Sequence, residues 1–228
     1  MRSIPGIFAV SLTLALTACS EEQAEAPAAP PAKTETAPPA AAPDATPAGD
    51  AGSNNDKADV QAEPFFAQMV LEDVTFQVES PNDSSINQVT VRAEGPEGPI
   101  GQMEAEADGT ITNVEIEDLN ADGYPEIYVY VTSAGSGSYG SLIAYASNQN
   151  TSLSQIYLPS IEGDPAISKG YMGHDEFVVG EGTFVRRFPI YADGDANAQP
   201  TGGTRQIQYK LEAGEAGWIL RQDRVVEF

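Results

Sequence analysis

Apolar and polar residues alternate along most of the chain after residue 63, and this period of two predicts β-strands that bury one face. Turn-forming residues separate the alternating runs, as at Asp108-Gly109 and Asp122-Gly123. Only residues 164–169 suggest a turn of helix. The spacing predicts an all-β domain over residues 64–228, an antiparallel β-sandwich of about eight strands. The clearest alternations are Val74, Phe76 and Val78; Val89 and Val91; Val114 and Ile116; Ile127, Val129 and Val131; and Ile207, Tyr209 and Leu211.

The start of the chain follows a different pattern. Arg2 precedes an apolar run from Ile4 to Ala18, and Cys19 comes next. The run has about 15 residues, fewer than the roughly 20 that a membrane-spanning helix needs, so residues 1–18 are predicted to be a signal peptide. Leu16-Thr17-Ala18-Cys19 resembles the lipobox of bacterial lipoproteins, and the resemblance implies cleavage before Cys19 and lipidation of its thiol.

Cys19 is the only cysteine of the chain, so it has no partner for an internal disulfide and cannot build a zinc site. Several acyl chains would hold the protein stably on a membrane, because each buried methylene contributes about 0.8 kcal/mol. Ser20, rather than an aspartate, follows the cysteine and favours the outer membrane. We therefore predict a lipid-anchored protein of the cell envelope, on the outer membrane and facing the periplasm.

Residues 19–63 join this lipid site to the predicted domain. They are rich in Ala, Pro, Glu, Asp, Thr and Gly and contain no aromatic residue. Such a segment cannot bury enough apolar surface to offset the entropy lost on ordering, and its prolines keep it extended. The sequence therefore predicts a disordered Ala/Pro-rich linker that holds the domain away from the membrane.

The formal net charge of the chain is −23. Nucleic-acid phosphates would be repelled, so the charge argues against nucleic-acid binding. The same charge suits either solubility alone or fast association with a basic protein partner.

The sequence gives little support for the motifs of common enzymes. Residues 135–140 match the pattern G-x-G-x-x-G, but residues 141–146 read as a strand, whereas a dinucleotide site needs a helix there. His174 is the only histidine and reads as a turn or surface residue, and no G-x-S-x-G motif supplies a serine nucleophile. Carboxylates are plentiful, but nothing selects a catalytic pair. We predict that the protein is not an enzyme.

The segment from Asp118 to Glu126 has the spacing of a calcium-binding loop. Oxygen-bearing side chains occupy its first, third and fifth positions, and a glycine follows at the sixth. The alternative is an acidic β-turn that needs no metal, and no other cofactor is expected. The candidate calcium ligands are the side chains of Asp118, Asn120, Asp122 and Glu126 and the carbonyl of Tyr124.

A longer stretch, from about Val114 to the C-terminus, resembles the PliI family of periplasmic inhibitors of i-type (invertebrate) lysozyme. The resemblance is carried by the segments Glu126–Val131, Ser133–Tyr139, Ser154–Pro159, Gly170–Phe177, Arg187–Tyr191 and Pro200–Gln206. It implies a β-sandwich, often a homodimer, that binds i-type lysozyme. It also implies that an S-G-x-Y loop, here Ser136, Gly137, Ser138 and Tyr139, enters the substrate cleft of the lysozyme.

The residue types of this loop suit that role. Glycines let the backbone approach a narrow cleft, and Ser136 can donate its hydroxyl to the two carboxyl groups of a retaining glycosidase. Tyr139 offers rigid contact area. We therefore predict a membrane-anchored lysozyme inhibitor; the alternative is a calcium-stabilised structural or adhesion module of the envelope. The region from Arg186 to Gly203 either supports the fold or makes a second contact.

Overall fold

The computed structural model describes residues 63–228. The predicted signal peptide, the lipidation site Cys19 and all but the last residue of the predicted linker lie outside the described residues. Within the described range, no helix is long and apolar enough to cross a membrane.

The described residues form an almost entirely β structure, as predicted, with one 3-10 helix over Ile161–Gly163 and one α-helical turn, α1, over Pro165–Ser168. The twelve strands are β1 (Phe65–Leu71), β2 (Val74–Ser80), β3 (Ile86–Gly95), β4 (Gly98–Asp108), β5 (Thr110–Glu117), β6 (Glu126–Thr132), β7 (Gly140–Asn148), β8 (Ser152–Tyr157), β9 (Glu176–Gly180), β10 (Thr183–Pro189), β11 (Thr204–Ala213) and β12 (Trp218–Glu227).

The strand count exceeds the predicted eight because very tight turns divide some segments. Glu72 and Asp73 both have positive φ, 51° and 63°, and join β1 to β2. Glu181 and Gly182, with φ of 49° and 67°, join β9 to β10 in the same way. Two consecutive left-handed residues are typical of type I′ hairpins, which usually carry Asn-Gly or Asp-Gly. Glu-Asp carries no such signal in the sequence.

The strands form two sheets. One has four strands in the order β1-β2-β3-β4, and the other has eight in the order β5-β6-β7-β8-β12-β11-β10-β9. Neighbouring strands are antiparallel, as predicted, except that β8 and β12 pair in parallel through Trp218 and Ile219. The smaller sheet packs on β5, β6 and β7 around an apolar cluster that includes Phe76, Val91 and Val129.

The larger sheet curves back so that its second half covers the other face of β6. Tyr128 on β6 stacks on Phe184 of β10, with 5.8 Å between ring centroids. The backbone N–H of Val179 on β9 donates to a carboxylate oxygen of Glu115 on β5 at 2.8 Å, which links the two ends of the curved sheet. Residues 126–131 of β6 are therefore all buried, and β6 is a central strand with one core on each side.

Candidate functional site

The loop between β6 and β7, residues 133–139, contains the S-G-x-Y motif. Its ends are joined by two hydrogen bonds: the Ser133 N–H donates to the Tyr139 carbonyl at 2.9 Å, and the Tyr139 N–H donates to the Ser133 hydroxyl at 3.0 Å. Inside the loop, the Ser138 N–H donates to the Gly135 carbonyl at 3.0 Å, and Ser138 has a φ of 44°. The loop is therefore a defined turn that continues the β6–β7 hairpin.

Only one of the two loop glycines is required by packing. A Cβ added to Gly137 would lie 2.4 Å from Cε2 of Tyr139 and 3.1 Å from the Met172 carbonyl oxygen, whereas a Cβ on Gly135 would meet nothing. Gly137 thus lets the Tyr139 ring fold over its own backbone. Ser136 is exposed, and 46 % of Tyr139 is accessible to solvent, so both side chains are free to contact a partner.

A second loop, residues 170–175, lies against the first. The His174 N–H donates to the carbonyls of Gly137 and Ser138 at 2.7 and 3.2 Å, and His174 itself lies in a turn with a φ of 57°. Gly173 allows this approach, because a Cβ there would lie 2.0 Å from the Gly137 carbonyl oxygen.

A third segment holds the outer end of the loop. The Asn197 side-chain amide donates to the Ser136 carbonyl at 2.7 Å, and its oxygen lies 3.3 Å from Nε2 of His174. The Tyr191 hydroxyl in turn donates to the Asn197 carbonyl at 2.8 Å. Neighbouring segments therefore hold the backbone carbonyls of Ser136, Gly137 and Ser138, while the Ser136 side chain stays exposed.

A buried ion pair lies beneath the loop, at the start of β7. Nε of Arg186 is 2.7 Å from Oδ1 of Asp175, and the two side chains are 7 % and 0 % exposed. Oδ2 of Asp175 accepts hydrogen bonds from the Gly140 N–H at 2.7 Å and the Tyr171 hydroxyl at 2.6 Å. Arg186 also donates to that hydroxyl at 2.8 Å. Asp175 thus connects the loop to β10.

The surroundings of this pair affect its ionisation. Burial by itself would lower the pKa of Arg186, but the Asp175 carboxylate more than offsets the burial, so the pKa is raised and the guanidinium stays charged. Burial and then the hydrogen bond to Asp175 raise the pKa of Tyr171 above its ordinary value. The Tyr139 ring packs edge-on against Tyr171, with 5.6 Å between centroids, so the exposed tyrosine rests on this buried group.

The supporting residues were not identified as a site from the sequence. In the structure, Arg186 forms the ion pair and the Tyr191 hydroxyl donates to the Asn197 carbonyl. The Gly202 N–H donates to the Ile190 carbonyl at 2.9 Å. Arg187 is exposed and donates to the Gln206 side chain at 2.6 Å. One signal was available for Arg186: it occupies an inward position of β10, between the buried Phe184 and Phe188, where an arginine needs a buried partner.

The predicted calcium loop is a compact turn stabilised by its own side chains. The Asp118 carboxylate accepts from the N–H groups of Asp122 and Gly123 at 3.0 and 2.9 Å, and Asp122 accepts from the Tyr124 N–H at 2.9 Å. Oxygens of Asp118, Asp122 and Glu126 lie within 4.8 Å of one another. Hard oxygen donors of this kind fit calcium.

Glu126, at the first position of β6, is the unusual member of this group. The residue is only 1 % exposed, and its carboxylate accepts from the Leu119 N–H at 2.7 Å and from the Tyr128 hydroxyl at 3.4 Å. Burial, together with the nearby charges of Asp118 and Asp122, raises the pKa of Glu126 to about 8. A cation at this position would compensate three neighbouring carboxylates.

A family model and solved structures of known proteins match this chain. The model of the family described as "Periplasmic lysozyme inhibitor of I-type lysozyme" (PliI) matches residues 100–168, a range that includes the loop 133–139. No curated protein matches the chain.

Solved structures of PliI from Aeromonas hydrophila also match, with 32 % sequence identity over 40 % of this chain and a TM-score of 0.36. In one, the inhibitor is in complex with lysozyme from Meretrix lusoria, and 80 % of the inhibitor chain is covered; in the other, described without a lysozyme, 84 % is covered. The match at this identity over most of the relative's length confirms the resemblance seen in the sequence: the chain belongs to the PliI family of periplasmic inhibitors of i-type lysozyme.

Proposed function

We propose that this protein inhibits an i-type lysozyme by inserting the loop 133–139 into the substrate cleft of the enzyme. The observation that carries the proposal is that Ser136 and Tyr139 are exposed on a loop whose backbone is fixed by the residues 170–175 and by Asn197. The Aeromonas relative, which is solved in complex with a lysozyme, supports the choice of partner.

Binding would use a loop whose backbone is already held in place by hydrogen bonds. A preorganised loop loses little conformational entropy on binding, so more of the contact energy appears as affinity. The Ser136 hydroxyl can donate to the acidic pair of a retaining glycosidase, and Tyr139 adds an aromatic contact of the kind that often dominates interfaces. Inhibition is by occlusion of the cleft, without turnover of the inhibitor. The net charge of −23 favours fast encounter with a basic enzyme.

Replacing Ser136 and Tyr139 with alanine tests this assignment. The double variant should lose about 2 kcal/mol or more of binding free energy, roughly a 30-fold higher inhibition constant. The measurement is the residual activity of an i-type lysozyme titrated with each inhibitor, with a hen-type lysozyme as a specificity control. A double variant at Ser152 and Phe228, exposed residues away from the loop, serves as the matched control. Unchanged inhibition by the folded loop variant would contradict the proposal.

The buried Arg186 should matter for inhibition because it positions the loop through Asp175. In Arg186→Lys, a single ammonium group replaces the planar fork that contacts Asp175 and Tyr171 together, so we expect at least a tenfold weaker inhibition. Arg205 is a matched control: it is equally buried, also lies 5.9 Å from the Phe188 ring, and pairs with Glu227 instead. Arg205→Lys should lower the melting temperature but leave inhibition unchanged. Equal losses in both variants would show that only general stability matters.

We also propose that calcium stabilises the turn from Asp118 to Glu126, as a structural ion in this inhibitor. Without a cation, the folded-state pKa of Glu126 is about 8, above its ordinary 4.5, so protonation favours folding and stability falls as the pH rises from about 4.5 to 8. Calcium should therefore raise the melting temperature most at pH 8 to 9. Glu126→Gln should remove both the pH dependence and the calcium effect. If calcium leaves the melting temperature of the wild type unchanged at pH 9, the turn needs no metal.

The N-terminal sequence supports a further proposal about location. Lipid at Cys19 would anchor the inhibitor in the envelope, on the outer membrane facing the periplasm, with residues 19–63 as a spacer between membrane and domain. Metabolic labelling with a radioactive fatty acid should label the wild type and fail to label Cys19→Ser. Recovery of unlabelled wild type in the soluble periplasmic fraction would contradict the anchor.

A further inference from the structure

A surface groove of about 490 Å³ lies beside the loop 133–139. Tyr139 and Gly140, at the end of the loop, form one wall, and residues 157–162, which follow β8, form the other. Tyr171 and the buried Arg186, which lie beneath the loop, complete the lining. The groove is therefore continuous with the surface that we assign to the lysozyme, although residues 157–162 lie outside the S-G-x-Y motif.

The wall formed by residues 157–162 is held in place independently of the loop. Tyr157 is the last residue of β8 and pairs with β12. The Glu162 N–H donates to the Ser160 hydroxyl at 3.2 Å, and Ile161 is buried in the core enclosed by the larger sheet. Both walls of the groove thus have an anchored backbone, so a partner side chain that enters it needs little further ordering of this protein.

Two exposed tyrosines line the groove, one from each wall. Tyr139 is 46 % exposed and Tyr157 is 58 % exposed. Tyrosine is enriched in protein interfaces and among the residues that contribute most to binding. A groove that places two such side chains next to the motif loop has the composition of a contact surface.

Glu162 determines which charge the groove prefers. Its side chain is exposed, and none of the four ion pairs within residues 63–228 includes it. Arg186, the basic member of the lining, is already paired with Asp175. A free carboxylate near tyrosine rings suits a lysine or arginine side chain, because the rings attract the cation and its long aliphatic stem covers apolar surface.

We propose that this groove binds a basic side chain of the lysozyme, next to the substrate cleft that the loop 133–139 enters. This second contact rests on the proposed function, since the loop has to be in the cleft. Tyr139 belongs to both surfaces, so a lysozyme held on the loop presents the rim of its cleft to the groove. A lysozyme with a neutral or acidic residue at that point of the rim is inhibited more weakly, and Tyr157 and Glu162 are the residues that make this distinction.

Substitutions in the second wall test the contact. Tyr157→Ala removes an aromatic side chain and should raise the inhibition constant about tenfold, whereas Tyr157→Phe keeps the ring and should leave the constant nearly unchanged. Glu162→Lys places an ammonium group next to the basic side chain and should raise the constant about tenfold at low salt and less at high salt. Each constant is measured with an i-type lysozyme, and the melting temperature shows that each variant is folded.

Glu97→Lys is the matched control for the charge reversal. Glu97 is exposed in the turn between β3 and β4. A Cβ added to Gly95 in this turn would lie 3.6 Å from Cβ of Asn150, which follows the opposite end of β7 from the loop. The control changes the net charge by the same amount as Glu162→Lys, so it measures the loss of long-range attraction alone. The effect of Glu162→Lys should exceed it.

A double-mutant cycle identifies the basic residue of the lysozyme. Each lysine and arginine around the cleft is replaced with alanine in turn, and each enzyme is titrated with the wild-type inhibitor and with Glu162→Gln. One enzyme variant should lose clearly less affinity for Glu162→Gln than for the wild type, whereas the effects at distant positions should add. Additive effects at every basic position would contradict the contact.

Two further outcomes would overturn the inference, and they differ in what they mean for the loop. In the first, the double variant at Ser136 and Tyr139 loses inhibition, but Tyr157→Ala and Glu162→Lys inhibit as well as Glu97→Lys. The loop would then enter the cleft without any contact in the groove. In the second, neither the loop variant nor the groove variants lose inhibition, and the proposed function fails together with the groove contact.

Discussion

The burial of β6 on both faces is the constraint on which the rest of the structure depends. Ile127, Val129 and Val131 fill the core under the smaller sheet, and Tyr128 and Tyr130 fill the core enclosed by the larger one. A strand in this position must be covered on both sides, so the smaller sheet and the curved half of the larger sheet both have to pack on it. The loop 133–139 begins where β6 ends, and it is therefore attached to a strand that is buried on both faces.

The loop itself depends on a different interaction, the pair of Asp175 and Arg186. A buried ion pair contributes little net stability, because the cost of removing both charges from water offsets their attraction. The ion pair instead fixes the geometry of the groups around it. The Asp175 carboxylate accepts three hydrogen bonds from three different segments, and each fixes a direction. In this way the buried side chains of Asp175 and Arg186 set the position of Tyr171, on which Tyr139 packs.

The charges of the protein are distributed in a way that fits these roles. Carboxylates dominate the chain and lie on the edge strands β4, β5 and β9. The loop 133–139 carries no charged residue, so it can enter an acidic cleft without repulsion.

The sequence by itself determined the β class, the family and the loop motif, because each is a local pattern. Alternation identifies strands, and Ser136-Gly137-Ser138-Tyr139 is contiguous. The tertiary structure decided how the motif is held. Asp175, Arg186 and Asn197 are separated from the motif by tens of residues, and only the return of β9 and β10 beneath β6 and β7 brings them to it. Long-range pairing of this kind depends on the whole set of strand contacts, so one strand's residue pattern could not specify it.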